Sequence, residues 1–211
     1  MKATRGNPLN GQKSPEKIEA ILAGAMQVFM TQGYAAASMD RIAVAAGVSK
    51  PTLYNYFQDK EGLFTALIQQ IVLGDSIPKL LGDSRFLQLP LRESLKQLAT
   101  ILLDKFSGDQ PLSTLFRLLI GESGRFPDLA QTFVRNIELP VLDKLSQLFA
   151  NHPDLKATDP ELIARFFQGS IMHYVIIQEI LHGGEILPLE RDRFVNGLID
   201  LLMGERSQLT D

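Results

Sequence analysis

Lys50, Thr52, Tyr54, Asn55 and Tyr56 crowd into seven consecutive positions, and each side chain ends in a group that hydrogen-bonds. On a helix, Leu53 and Phe57, four apart, point to one side with Val48 beside them, leaving Lys50, Thr52, Asn55 and Tyr56 on the other. Tyr54 can bury its ring edge and still offer its hydroxyl, or serve mainly in packing. Short, polar, hydrogen-bonding groups suit base edges and phosphates better than an apolar partner. The N-terminus of such a helix adds unpaired amides and the positive end of the helix dipole, both attractive to phosphate.

No other chemistry is as well supported. The three histidines, His152, His173 and His182, lack metal-ligand spacing, and no phosphate-cradling glycine loop or nucleophile motif appears. With no cysteine, disulfides, thiolate zinc sites and cysteine nucleophiles are excluded. Glu161 and Arg165, one helical turn apart, read as surface support. The expectation is a protein that is not an enzyme and holds neither cofactor nor metal.

The elements that must position the polar set are helical. Of the 211 residues 45% are apolar and 21% charged, enough apolar surface to bury a core. Apolar stripes recur at three- and four-residue spacing while alternating, strand-like runs are nearly missing, so the fold class expected is all-α. Residues 1–60 carry seven Lys/Arg against four Asp/Glu, a charge of +3, and residues 61–211 carry fourteen against twenty, −6. A basic head on an acidic body suits a chain with one end on a polyanion. No apolar run approaches the ~18 residues of a membrane span. Met1 to Lys17 also lacks the apolar middle of a signal peptide, so a soluble, cytoplasmic protein is expected.

Residues 1–13, with Gly6, Asn7, Pro8, Asn10 and Gly11, read as a flexible arm, residues 14–60 as a head and 61–211 as a body. Ser14-Pro15 opens a first helix with Ser14 as N-cap, its stripe running Ile18, Ile21, Leu22, Ala25 and Phe29 until Gly33 ends it. A second follows Ser38, with Met39, Ile42, Ala43 and Ala46 inward, and Gly47 supplies the turn. Ser49 caps a third through Phe57, and Asp59 a fourth. Two short helices joined by Ala46-Gly47-Val48 have the proportions of a helix-turn-helix.

Residues 45–64 and the segment before them resemble the signature of the TetR family of bacterial transcriptional regulators, a match covering about residues 14–65. Ala46, Gly47, Val48, Ser49, Pro51, Thr52, Leu53, Tyr54, Tyr56, Phe57, Lys60, Glu61 and Leu63 match it, as do Gly33, Tyr34, Ser38, Ile42 and Ala43 upstream. Met39 stands where a Thr or Ser is common. The resemblance implies DNA contact by Lys50, Thr52, Tyr54 and Tyr56, and phosphate contact by Lys60 and Ser38, although Ser38 and Ser49 also read as helix caps. Arg41 and Asn55 join because they face outward and can hydrogen-bond. The resemblance further implies a homodimer on a palindromic double-stranded operator, with a small molecule in the body shifting the fourth helix to release DNA.

In the body, Pro90 to about Ser107 and Pro111 to Ser123 read as helices, and Ile77-Pro78 and Leu89-Pro90 bracket a linker. Pro140 should kink a stripe running from Leu129 to Phe149. Helices are expected over 160–182 and from Pro188 to Met203. Residues 116–131 are similar, over a short stretch, to the C-terminal domain of AefR-like regulators. The helix ending near 182 is apolar on nearly every side, which calls for a second neighbour besides its own core. Pairing with a symmetry mate would use Gly169, Ser170, Val175, Ile176, Ile180, Phe194, Leu198 and Leu202. An apolar or amphipathic effector would be walled by Phe106, Phe116, Phe133, Phe166 and Phe167, with Arg117, Glu122, Gln168, His173 and Gln178 as polar contacts. His173 also reads as a core histidine. Two alternatives stay open: a constitutive DNA-binding dimer without effector, and a helical protein-interaction module.

Overall fold

The computed structural model describes residues 14–73, 86, 88–107, 111–152 and 159–204, and every regular element among them is helical. The expected arm at 1–13 and the Ile77-Pro78 boundary lie outside the described residues. Two compact units emerge, Met1–Phe64 and Thr65–Asp211. The division falls inside a helix, a few residues after the position expected from sequence. Leu63 and Phe64 belong to the first unit because their side chains are buried there, with Phe64 edge-on to both Phe29 and Tyr34.

The first unit holds α1 (Pro15–Ala36), α2 (Met39–Ala45), α3 (Lys50–Tyr56) and the start of α4 (Lys60–Leu73). Three helix starts are capped as the residue types dictate. Ser38 Oγ accepts from the Arg41 amide, Ser49 Oγ from Thr52 and Asp59 Oδ1 from Gly62. The fourth differs, since the Ser14 hydroxyl makes no capping bond and the Ser14 amide instead donates to the Tyr56 hydroxyl at 2.9 Å. Gly33 breaks the helical path at φ 73°, yet the chain resumes a turn through Ala36. Gly47 turns α2 into α3 at φ 65°, a region β-carbons disfavour. Ile21, Leu22, Phe29, Ile42, Leu53 and Phe64 form the core. Met39 is buried too, so the position lacking the common hydroxyl is a packing position.

The second unit holds the rest of α4, then α5 (Leu91–Phe106), α6 (Pro111–Glu122), α7 (Pro127–Phe133), α8 (Leu139–Asn151), α9 (Pro160–Val175) and α10 (Arg191–Met203). Pro140 does not produce a sharp kink. A π-helical turn, Val134–Glu138, joins α7 to α8 instead. Proline lacks the amide that would reach the Asn136 carbonyl one turn back, and Gln69 Nε2 on α4 donates to that carbonyl at 3.2 Å. A second π-turn, Ile176–Ile180, ends α9, with Arg117 donating to the Glu179 and Ile180 carbonyls. The last helix starts at Arg191 rather than Pro188. Glu190 caps it through the Asp192 and Arg193 amides, bonds that hold its carboxyl below the usual range. Among the described residues no helix is long and apolar enough to cross a membrane.

Candidate nucleic-acid interface and effector cavity

On α3, Leu53 is fully buried, and this fixes which side of the helix faces out. Lys50, Tyr54 and Asn55 are exposed, and Thr52 and Tyr56 half-buried at the edge. The structure therefore brings the expected polar residues onto one face. Lys50 Nζ pairs with Asp40 of α2 at 2.7 Å, and that hydrogen-bonded carboxylate raises the Lys50 ammonium above its ordinary value. Thr52 and Ser49 share a hydroxyl–hydroxyl bond of 2.8 Å. The Tyr56 hydroxyl receives the Ser14 amide, which fixes the start of α1 beside the end of α3.

Three residues expected to touch DNA are engaged within the head. The Lys60 ammonium donates to the Tyr34 and Ala37 carbonyls at 2.6 and 3.1 Å and lies 4.3 Å from the Tyr34 ring centre. Burial, then Glu61 and Asp59, push that phenol up to about 12, so the ring stays neutral. Lys60 thus closes the α1–α2 corner, a role that its motif position does not reveal. Arg41 donates to Gln32 and to the Ala36 carbonyl at the same corner, and the Ser38 hydroxyl is a helix cap.

In the second unit a cavity of about 320 Å³ opens between α5, α6, the first π-turn, α8 and α9, at the lower end of the usual range for ligand sites. Phe106, Phe116, Phe133 and Gln168 line it as expected, with Lys105 and Glu138 as its ionisable groups. The three rings stand edge to face in a chain, centroids 5.7 and 6.3 Å apart. A neighbouring cavity of about 270 Å³ shares Val134, Glu138, Gln168 and Met172 with it and adds Arg165.

The other expected pocket residues lie elsewhere. Phe166 is 56% exposed, because its neighbour Phe167, about 100° around the helix, is the ring that turns inward. His173 is exposed rather than a core histidine. Arg117 is engaged by the α9 end, Gln178 Nε2 by the Leu187 carbonyl, and Glu122 sits at the end of α6, where its Oε2 is buried without a hydrogen bond. The sequence reading missed Lys105 and Glu138, which no local motif marks; only the apposition of α5 with the π-turn and α9 creates their setting.

The helix pair capped at Ser38 and Ser49, turned by Gly47 and inward at Leu53, is the decisive geometry, and comparison with known proteins agrees with it. Residues 21–67 match the model for bacterial regulatory proteins of the tetR family, and residues 93–204 the AefR-like transcriptional repressor, C-terminal domain. The chain belongs to the TetR family. It is accordingly a DNA-binding helix-turn-helix transcriptional regulator and not an enzyme. The solved structure of the flavonoid-responsive regulator FrrA is 30% identical, with TM-score 0.64 over 88% of this chain and 92% of that one. A TetR-family regulator from Mesorhizobium loti, 24% identical, superposes with TM-score 0.70 over 92% and 98% and shows the fold. Among curated relatives, the transcriptional activator FasR of Mycolicibacterium smegmatis is 42% identical over 73 residues, 34% of this chain. That match spans about a third (33%) of the relative's length.

In this TetR regulator Asp40 occupies the Lys50 ammonium, which the sequence reading assigns to DNA. Replacing Asp40 by Asn is expected to tighten DNA binding, most clearly at low salt, since Lys50 then reaches phosphate without first leaving a carboxylate. Equal affinities of the two proteins across a salt series would show that the ion pair does not compete.

The expected dimer residues divide. Gly169 is exposed and Ser170, Ile176, Ile180, Phe194 and Leu202 are half-buried, but Val175 and Leu198 are buried within the protomer and have no surface for a partner. Phe194 stacks on Tyr174 at 4.6 Å. The apolar outer faces are carried by Leu162 and Phe166 on α9 and Leu201 on α10.

Proposed function

We propose that the protein is a homodimeric repressor that binds a palindromic operator through α3 and releases it when a small amphipathic molecule enters the cavity of the second unit. The α3 face carries the reading: Lys50, Tyr54 and Asn55 lie exposed with Thr52 and Tyr56 at the edge, while Leu53 anchors the helix from behind. Dimerisation is supported by the exposed Leu162, Phe166 and Leu201, with Gly169 and Gly197, where an added β-carbon would meet nothing within 4 Å, allowing close helix approach. Support for repression comes from the AefR-like repressor domain. Effector control is supported by the cavity and by the name of FrrA, a flavonoid-responsive regulator. Release requires only that the ligand bind one arrangement of α4 better than the other.

Selection from random duplexes tests the architecture. The expected product is an inverted repeat whose half-sites lie about 34–36 Å apart, or a small multiple of that. Enrichment of a lone half-site or a direct repeat would contradict the two-fold dimer.

A further inference from the structure

We propose that the cavity takes an amphipathic anion, an apolar chain ending in a carboxylate, whose head group is held by Lys105; this rests on the effector reading above. Lys105 belongs to a wall otherwise built largely from Leu102, Phe106, Phe116, Phe133 and Ile171. Its ammonium has three donors, and among the described residues one acceptor meets them, the Ile71 carbonyl at 2.8 Å. Burial pulls the ammonium below its ordinary value, and no carboxylate among the described residues offsets the effect. A cation held by one carbonyl beside an apolar cavity is the natural seat for an anion that brings an apolar chain.

Glu138, the wall's other ionisable group, does not oppose this. Burial raises its carboxyl, which favours the uncharged form, and Arg165 pulls it back. The position of Lys105 also links occupancy to α4. Ile71 belongs to α4, and the Lys105 bond to its carbonyl ties α5 to that helix. A carboxylate competes with the Ile71 carbonyl for the same ammonium, so ligand entry weakens the tie between α5 and the helix that begins in the DNA-binding head.

The test is calorimetric titration of the full chain at pH 7.5 with three probes of one tail: sodium decanoate, 1-decanol and decylammonium chloride. Decanoate is expected to bind about tenfold or more tighter than decanol, the increment of one charge-assisted hydrogen bond. Lys105→Met should lose that preference while keeping the affinity for decanol, which shows that its cavity is intact, and Lys105→Arg should retain the preference. Equal binding of decanoate and decanol, or a preference that survives in Lys105→Met, would overturn the head-group assignment and leave the effector reading standing. Tightest binding of decylammonium would overturn it in favour of Glu138. Failure of all three probes to bind would remove the effector reading along with the proposal.

Discussion

Replacing Gly24 by alanine is expected to destabilise the helix-turn-helix head strongly and weaken DNA binding. A β-carbon at Gly24 would stand 2.6 Å from the Ala46 amide nitrogen and 2.8 Å from its Cα and Cβ. Those atoms cap α2 and lead into the Gly47 turn, so relief requires moving the backbone that sets the angle of α3. Overpacking against atoms that cannot rotate away costs about 3 kcal/mol, a large share of a total of roughly 5–15 kcal/mol for a domain. Gly121→Ala on α6 is the control, since nothing lies within 4 Å of its added carbon. Urea unfolding followed by circular dichroism should show an early transition for Gly24→Ala and none for the control. A native-like midpoint for Gly24→Ala would mean that α1 and the α2 cap are less closely packed than described.

Lys60→Met is expected to lower the stability of the head by about 2–3 kcal/mol, from two charge-assisted bonds to carbonyls and one cation–π contact, discounted for partial exposure. The motif position implies a different outcome, a phosphate contact whose loss flattens the salt dependence of DNA binding by about one unit and leaves stability unchanged. The two results separate cleanly. Because the ammonium sits on the Tyr34 and Ala37 carbonyls, the fall in stability should dominate. An unchanged urea midpoint with a reduced salt slope would return Lys60 to the DNA-contact set.

Local signals were legible wherever one residue type has one use. Ser38, Ser49 and Asp59 announce helix starts, Gly47 a turn, and the four-residue spacing of Leu53 and Phe57 a buried face; the structure places each accordingly, Phe57 only partly buried. Resemblance to the TetR signature added the family, which the matches over residues 21–67 and 93–204 establish. Properties that depend on distant segments were not legible. Whether Phe166 or Phe167 turns inward is decided by helix phase against the core, and both look alike in sequence. Nothing near Pro140 foretells that Gln69, some seventy residues earlier, supplies the donor for the carbonyl it orphans. Lys60 shows the same limit from the other side: its motif is a DNA-contacting one, and its ammonium is held by α1 carbonyls. Gly24 sits inside an ordinary apolar stripe, and only the crossing of α1 by the α2 cap makes its missing β-carbon matter.

The central claim, that α3 reads a specific DNA sequence, is tested most directly by fluorescence-anisotropy titration against tiled duplexes from the DNA flanking the gene. Two salt concentrations and scrambled competitor separate specific from general polyanion binding. One tile should bind saturably at two protomers per duplex and resist competitor, with Lys50→Ala weakening it and reducing the salt slope by about one unit. Equal binding to every tile at both salts, with Lys50→Ala indistinguishable from the native protein, would contradict the account.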